Sequence, residues 1–579
     1  MEQNVLAPTR DRLPRAVQEP LDRAIDELRI GADRWARTSA ADRAALLRRT
    51  HDSIGRSANR WALTATGLKR LDASSSLVGE EWLSGPYAVL NGASRLAKTL
   101  DALAAGRSPL DGLRFHRAPG GRQSVDVLPL DASERLLLNG FSAEVWLRPG
   151  TTADEARSRA GLGARRSGES GGVGLVLGAG NITSIPPLDA LYELVASNRA
   201  VILKLNPVLA GMMTSYLDAL DPLIRFGVLR IVQGGADVGS YLADHPGIAH
   251  VHITGSALTH DAIVWGAGEG AADRRARNAP LLGKPITSEL GGVSPVIVAP
   301  GEWTKHDLVY QAEHVATQRL HNGGYNCIAS QVVVVSSDWP QKDAFLEQLR
   351  RAIDSAPRRA AWYPGSADRG AGAAGVYPDA ERLGPDGNRL LIRTVPALAD
   401  SLASTEYFAP VLGVIELPGT GQAFLDAAVG FAEHDLVGNL GANVLIRPED
   451  RRALGAGFGR AIEALHYGTI AINAWTGLGF LLAATPWGAY PGNSLSDVGS
   501  GIGVVHNGLL IDEPERTIVK GPFRPFPRSV LAGEPALSPK PPWFVSARSA
   551  ATTGRLLSDF AAKPSSRRLP GVLYAAFRG

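Results

Sequence analysis

One cysteine occurs in 579 residues, Cys327, in the run His-Asn-Gly-Gly-Tyr-Asn-Cys-Ile-Ala-Ser at 321–330. A lone thiol cannot close an intrachain disulfide. It is either an incidental small apolar residue or a residue kept for its chemistry. Taken alone, a single cysteine is more often structural. The neighbours shift that balance. Glycine carries a backbone-entropy penalty inside helices and strands, and asparagine competes for backbone hydrogen bonds. Two of each precede the thiol and favour an irregular loop that presents the sulfur. The apolar run at 332–335 then reads as a buried strand. The twelve histidines show neither an HExxH pattern nor clustered ligand spacing, so no metal site is expected.

A chain of this length exceeds what one hydrophobic core supports, so two to four domains are expected. The composition, 45% apolar and 20% charged, is that of a soluble globular protein. No stretch approaches the roughly 18 apolar residues of a membrane span. The start has no basic segment followed by an apolar core, so no secretion signal is expected. One reactive thiol persists best in a reducing compartment, which points to the cytoplasm. From Arg516 to the end there are 11 lysines and arginines against two acids, although the whole chain is only +3. Such a tail is either a footprint for nucleic acid or membrane, or a solvated segment packed on a partner subunit. The second is expected. No nucleic-acid-binding motif is present, and Phe523, Phe526, Trp543 and Phe544 adjoin prolines.

Residues 21–105 read mostly as helix, with apolar residues three and four apart. Alternating runs at 124–128 and 143–147 read as strands. A βα rhythm follows, with strands at 173–177, 200–205, 229–232 and 250–253. It implies a parallel sheet that binds ligands at the carboxyl ends of its strands. A second α/β block has candidate strands at 295–298, 331–335, 412–417, 443–446 and 469–472. Order becomes less certain from Gly521, where proline is frequent.

Several short segments fall at telling places in this order. Gly178-Ala-Gly-Asn181 closes the first strand of the rhythm. Ser288-Glu-Leu-Gly-Gly-Val-Ser-Pro295 precedes a strand. Thr405-Glu-Tyr-Phe-Ala-Pro410 lies beyond the cysteine loop. With Leu203-Lys204, Thr254-Gly-Ser256 and the Cys327 loop, they resemble the aldehyde dehydrogenase superfamily, from roughly residue 24 to 523. The resemblance implies an α/β fold with a Rossmann-type cofactor domain (1–122 and 151–284) and a catalytic domain (285–493). It also implies a small β oligomerisation flap (123–150 and 515–530). The basic, Pro-rich extension 531–579 has no counterpart.

The chemistry so implied is NAD(P)-dependent oxidation of an aldehyde to an acid. Cys327 would attack the carbonyl, because a thiolate is nucleophilic even when partly ionised. The Asn181 amide and the Cys327 N–H would hold the oxyanion. Glu289 would activate the water that hydrolyses the thioester, and burial would tune its pKa for that role. By resemblance Lys204 bonds the adenosine ribose, Glu406 holds the nicotinamide ribose, and Phe408 packs beside the nicotinamide. Gly234, Thr254, Gly255 and Ser256 shape the approach to the pyrophosphate near a helix start. The partners implied are a small-molecule aldehyde and further copies of the chain, as a homodimer or homotetramer.

Some positions depart from the family pattern. Tyr325 replaces a glutamine two residues before the cysteine and would alter loop packing or the channel lining. Pro207 replaces the acid that disfavours a 2′-phosphate, so NADP stays open beside NAD. His260 replaces a glycine. Tyr325, Trp475, Phe480 and Trp487 are candidates for an aldehyde channel suited to a bulky apolar or aromatic substrate. Two other readings stand against hydrolytic oxidation. One is a CoA-acylating relative, which the retained Glu289 disfavours. The other is a catalytically idle cofactor-binding assembly protein.

Overall fold

The structure, a computed structural model, describes residues 13–166 and 168–579. The first twelve residues, on which the secretion-signal expectation rests, lie outside them. The amino-terminal region is helical as its periodicity predicts. Ser39 caps the helix Ala40–Leu68 by accepting the Asp42 N–H at 3.2 Å. That helix buries Leu47, Ile54, Trp61 and Ala65 along one stripe, against the helix Ala88–Ala104. Among the described residues no helix is long and apolar enough to cross a membrane.

Seventeen strands follow among the described residues. Three come first: β1 (Phe115–Arg117), β2 (Gln123–Leu128) and β3 (Ser142–Leu147). A six-stranded sheet then takes β4 (Val173–Leu177), β5 (Ala200–Lys204), β6 (Leu229–Val232), β7 (His250–Gly255) and β8 (Ile286–Leu290). The next strands are β9 (Ser294–Val298), β10 (Ser330–Ser336), β11 (Glu381–Leu383), β12 (Arg389–Thr394), β13 (Val411–Leu417), β14 (Gly441–Leu445) and β15 (Thr469–Ile472). Last come β16 (Gly501–Ile502) and β17 (Pro514–Lys520).

The first sheet has the order β16-β8-β7-β4-β5-β6 and is parallel except for β16. Its central strands β4 and β5 are Val/Ile/Leu-rich and buried on both faces, as helix-covered parallel sheets require. The second sheet has the order β1-β2-β3-β17-β15-β14-β9-β10-β13-β12-β11. Its centre is parallel. At β17 it turns antiparallel, pairing with β3 and so continuing into β2 and β1.

Two local expectations change. Glu289 does not merely precede a strand; it lies inside β8, paired with Thr254 of β7. Gly291 and Gly292 then carry the chain from one sheet to the other. A Cβ on Gly292 would come 2.9 Å from the Gly438 Cα, a space only glycine leaves.

The second change concerns the tail, which is folded onto its own chain. Helices Ala550–Ala562 and Leu569–Ala576 are formed, and Phe544 stacks on Tyr310 (5.3 Å) and His314 (5.2 Å). Its basic residues meet acids of the body: Arg524 bonds Asp307 at 2.8 Å, and Lys540 lies 2.8 Å from Glu313.

Candidate functional site

The capped helix Lys305–Leu320 delivers the chain to the cysteine loop. Three left-handed residues then turn it: Asn322 (φ 57°), Gly323 (73°) and Gly324 (84°). Asparagine and glycine are the residues that tolerate this region, which explains the Asn-Gly-Gly sequence. β10 takes over at Ser330. The loop is fixed by polar bonds. Arg319 donates to the Gly324 carbonyl at 2.6 Å, and Asn326 Nδ2 donates to the His321 carbonyl at 3.1 Å.

Asn322 is the hub of the loop. Its Nδ2 donates to the carbonyls of Asn181 and Tyr325, each at 3.1 Å. Its Oδ1 accepts from Lys69 Nζ (3.0 Å) and Arg359 (3.2 Å), and its N–H donates to Glu80 (3.1 Å). Lys69 pairs in turn with Glu81 at 2.9 Å, both side chains being fully buried. The sequence gives no hint of this ion network, whose members lie up to 279 residues apart. Breaking a buried ion pair by removing one partner typically costs about 3–5 kcal/mol. Lys69→Met is therefore expected to lower the thermal unfolding midpoint clearly and to loosen the cysteine loop. Calorimetry and faster thiol labelling would register both; an unchanged midpoint would show that the network carries no stability.

Asn181 follows β4, is 6% exposed, and donates one amide N–H to the Tyr325 carbonyl at 2.9 Å. An amide has two such donors, so one remains. Glu289 is 2% exposed and accepts from Trp487 Nε1 at 3.3 Å. Its carboxyl lies against the Cys327 thiol. Burial, reinforced by the nearby Asp189 carboxylate, pushes Glu289 up to about 7. Burial and the Glu289 and Glu406 carboxyls push the Cys327 thiol well above its usual range. The resting thiol is thus protonated beside a carboxyl poised to take its proton.

The remaining candidates line the carboxyl edge of the six-stranded sheet. Lys204 ends β5, is buried, and forms no ion pair among the described residues; burial lowers its pKa. Gly234 follows β6 with φ 152°, where an added Cβ would collide with Val238. Gly255 ends β7, and Ser256 caps the helix Ala257–Trp265 by accepting the Thr259 N–H at 3.3 Å. The Thr254 hydroxyl is spent elsewhere, donating to the buried Asp189 at 2.8 Å. Asp189 also meets His506 at 2.9 Å. His260 is buried beside Asp261.

Glu406 is half-buried, and desolvation of its carboxyl pushes it up to about 8. Its Oε1 has no partner among the described residues. A Cβ on Gly291 would strike this carboxyl. Gln331, unremarked in the sequence, clamps the segment: its amide donates to the Leu402 (2.8 Å) and Thr405 (2.7 Å) carbonyls, and its oxygen accepts the Tyr407 N–H (3.0 Å). Phe408 holds φ 45°, rare for a bulky residue and a sign of a position fixed by its surroundings.

Two aromatic expectations part ways. Tyr325 packs against Trp362, Tyr363 and Phe408, with its hydroxyl 2.7 Å from Ser366, so it serves loop packing. Trp475, Phe480 and Trp487 instead share the apolar cluster that Cys327 joins. A histidine–carboxylate trio, His116, Asp126 and Glu144, has the spacing of a metal site. Arg114 (2.6 Å) and Lys520 (3.0 Å) already pair with its two acids, and nothing further points to an ion.

Residues 172–363, which contain the Asn181, Lys204, Glu289 and Cys327 segments, match the model of the aldehyde dehydrogenase family. The fold is similar to that of an NAD-dependent aldehyde dehydrogenase from Sinorhizobium meliloti, at 20% identity and TM-score 0.55, covering 86% of each chain. It is similar to a gamma-glutamyl-gamma-aminobutyraldehyde dehydrogenase from Burkholderia cenocepacia, at 20% identity and TM-score 0.56, over 86% of this chain and 88% of the other. A third likeness is to the aldehyde dehydrogenase KauB from Pseudomonas aeruginosa, at 18% identity and TM-score 0.57, over 87% and 89%. Residues 172–363 are thus similar to the aldehyde dehydrogenase family, and the fold over most of the chain is similar to that of solved aldehyde dehydrogenases.

Proposed function

We propose that the chain oxidises an aldehyde to a carboxylic acid with a nicotinamide dinucleotide, by way of a Cys327 thioester that water hydrolyses. The observation that carries this reading is the chain's one thiol lying against a buried carboxyl, Glu289, held near pH 7. The residues fit a dinucleotide. Lys204, Gly234 and Ser256 stand at the carboxyl edge of a parallel sheet, where such ligands bind. The orphaned Glu406 Oε1 offers an acceptor for a ribose hydroxyl. When bound, the dinucleotide supplies the hydride acceptor. Pro207 leaves no acid to oppose a 2′-phosphate, so NAD and NADP are both admissible.

Glu289 takes the thiol proton as Cys327 adds to the carbonyl carbon. The free N–H of the Asn181 amide and the Cys327 backbone N–H stabilise the oxyanion that forms. Glu289 then passes the thiol proton to solvent; once the adduct has given up its hydride and become a thioester, the ionised Glu289 removes a proton from water, and Cys327 leaves as the acid is released. Residues 1–122 and 151–284 would hold the cofactor, and 285–493 would supply the thiol. Strands β2 and β3 with β17 would meet further copies, as a homodimer or homotetramer.

The test is turnover of an aldehyde panel with NAD+ or NADP+, with and without CoA. Reduced dinucleotide and free acid without CoA are expected. Strict CoA dependence would overturn hydrolysis, and no reduction with any aldehyde would favour the idle reading. Asn181→Ala is expected to lower kcat by about 10²–10³, the usual loss for one oxyanion donor. A loss below tenfold, from steady-state rates at saturation, would remove Asn181 from that role.

A further inference from the structure

Glu289 must pass the thiol proton to solvent before it can activate water, yet it is 2% exposed. One face of the six-stranded sheet offers a route. Alternate residues of a strand share a face, so His250, His252 and Thr254 of β7 form one row, and Thr287 and Glu289 of β8 form the next. The register pairs His252 with Thr287 and Thr254 with Glu289, so His252 lies diagonal to Glu289. The helix Ile185–Ala196 brings Asp189 and Glu193, one helical turn apart, to the same face.

The contacts form a ladder. The Thr254 hydroxyl donates to one Asp189 oxygen at 2.8 Å and lies 3.2 Å from His252 Nε2. His506 meets the other Asp189 oxygen at 2.9 Å. His252 Nδ1 lies 2.9 Å from the Thr287 hydroxyl, which is 3.4 Å from His250 Nε2. His250 Nδ1 lies 2.8 Å from Glu193, which accepts from Arg199 at 2.9 Å. The Arg199 side chain is 24% exposed, so the ladder ends at solvent. Asp189, Glu193, His250 and His252 are buried titratable groups that take no part in the chemistry above. Burial opposes a charged imidazole, but the Asp189 contact outweighs it and raises His252, making it a stronger base than free imidazole. Burial likewise opposes ionisation of Glu193, but the His250 contact brings it down to about 2, so a proton delivered there is readily released.

We infer that this ladder is the proton exit of the site, with His252 as the group that relieves Glu289. The inference rests on the proposed aldehyde oxidation. The Glu289 O–H bond breaks as its proton passes, by way of the Thr254 hydroxyl, to His252 Nε2. His252 gives up a proton from Nδ1 through the Thr287 hydroxyl to His250, and His250 gives one up to Glu193 and so to solvent. Each group of the ladder gains one proton and loses one, and Glu289 is left ionised for water.

His252→Gln and, independently, Thr287→Val cut the ladder. Valine removes the hydroxyl and keeps the β-branched shape, so Thr287→Val decides alone if His252→Gln fails to fold. At pH 8 Glu289, held at about 7, starts ionised and can take the thiol proton once. Each variant is therefore expected to release one equivalent of reduced dinucleotide per site rapidly, then to run at least about tenfold slower than the native chain, with near-native circular dichroism. Proton release, followed with a pH indicator in a stopped-flow mixer, should lag behind that first equivalent. A native steady-state rate in either folded variant overturns the ladder alone. So does loss of the first equivalent, which marks damage to the site rather than a blocked exit. A native chain that oxidises no aldehyde overturns the oxidation reading and the ladder with it.

Discussion

Replacing Cys327 by alanine is expected to abolish aldehyde oxidation while leaving the fold and dinucleotide binding in place. The loss should be complete because the chain holds no second thiol. Without the nucleophile, Asn181 and Glu289 have no adduct to stabilise or hydrolyse, and a site whose members act as a unit does not lose activity in fractions. The fold should persist because the loop does not depend on the sulfur. Arg319 holds the Gly324 carbonyl, Asn326 holds the His321 carbonyl, and Asn322 ties the loop to Lys69, Glu80 and Arg359. The deletion removes one half-buried sulfur from an apolar cluster, a small cavity by core standards. The checks are turnover, dinucleotide titration by fluorescence, and a thermal melt on one preparation. In the native chain, a thiol reagent should label Cys327 and aldehyde should protect it. Residual oxidation above about a thousandth of the native rate would mean that another group forms the adduct.

Much of this site could be read from short segments, because each has a backbone reason to exist. Asn-Gly-Gly marks an irregular loop, and the loop is there, turned by left-handed Asn322, Gly323 and Gly324. Gly-Gly after Glu-Leu marks a tight passage, and Gly291 and Gly292 do occupy the crossing between the two sheets. Most strands of the two blocks were legible from their apolar runs, although β8, β11 and β12 were not. What escaped was long-range. The pairing of Lys69 with Asn322 and of Trp487 with Glu289 joins residues about two hundred positions apart or more, and neither partner signals the other. The tail misled for a related reason. Its basic count suggested a segment for a partner subunit, whereas Arg524 and Lys540 neutralise Asp307 and Glu313 of the same chain. Proline suggested uncertain order, yet Phe544 is anchored by stacking that composition cannot reveal. Tyr325 shows the converse. A departure beside the nucleophile left loop packing and channel lining both open, and its ring packs with Tyr363 and Phe408.

Glu289→Gln is expected to lower kcat by about 10²–10⁴, the usual worth of a general base. The loss should fall on both steps that Glu289 serves, thiol deprotonation and thioester hydrolysis, so no burst of reduced dinucleotide should precede the slow steady state. Glutamine keeps the shape and can still accept from Trp487, which separates lost basicity from lost packing. The pH dependence makes the assignment specific. A base works only when ionised, and burial holds this carboxyl at about 7. Native turnover should therefore fall as pH drops below about 7, with the slope of one proton, and the variant should lack that limb. Stability should move the other way. Below the ordinary value of 4.5 the carboxyl is neutral in both folded and unfolded chains and costs nothing. As pH rises from 4.5 to about 7, the unfolded chain ionises while the folded chain resists, so the native protein loses stability; above 7 the loss is constant. Glutamine escapes that penalty, so Glu289→Gln should melt higher than the native protein at pH 8 and alike at pH 4. A variant that is slower yet melts lower at pH 8 would owe its defect to damaged packing. A variant as fast as the native chain, with the acid limb intact, would mean that the water is activated elsewhere.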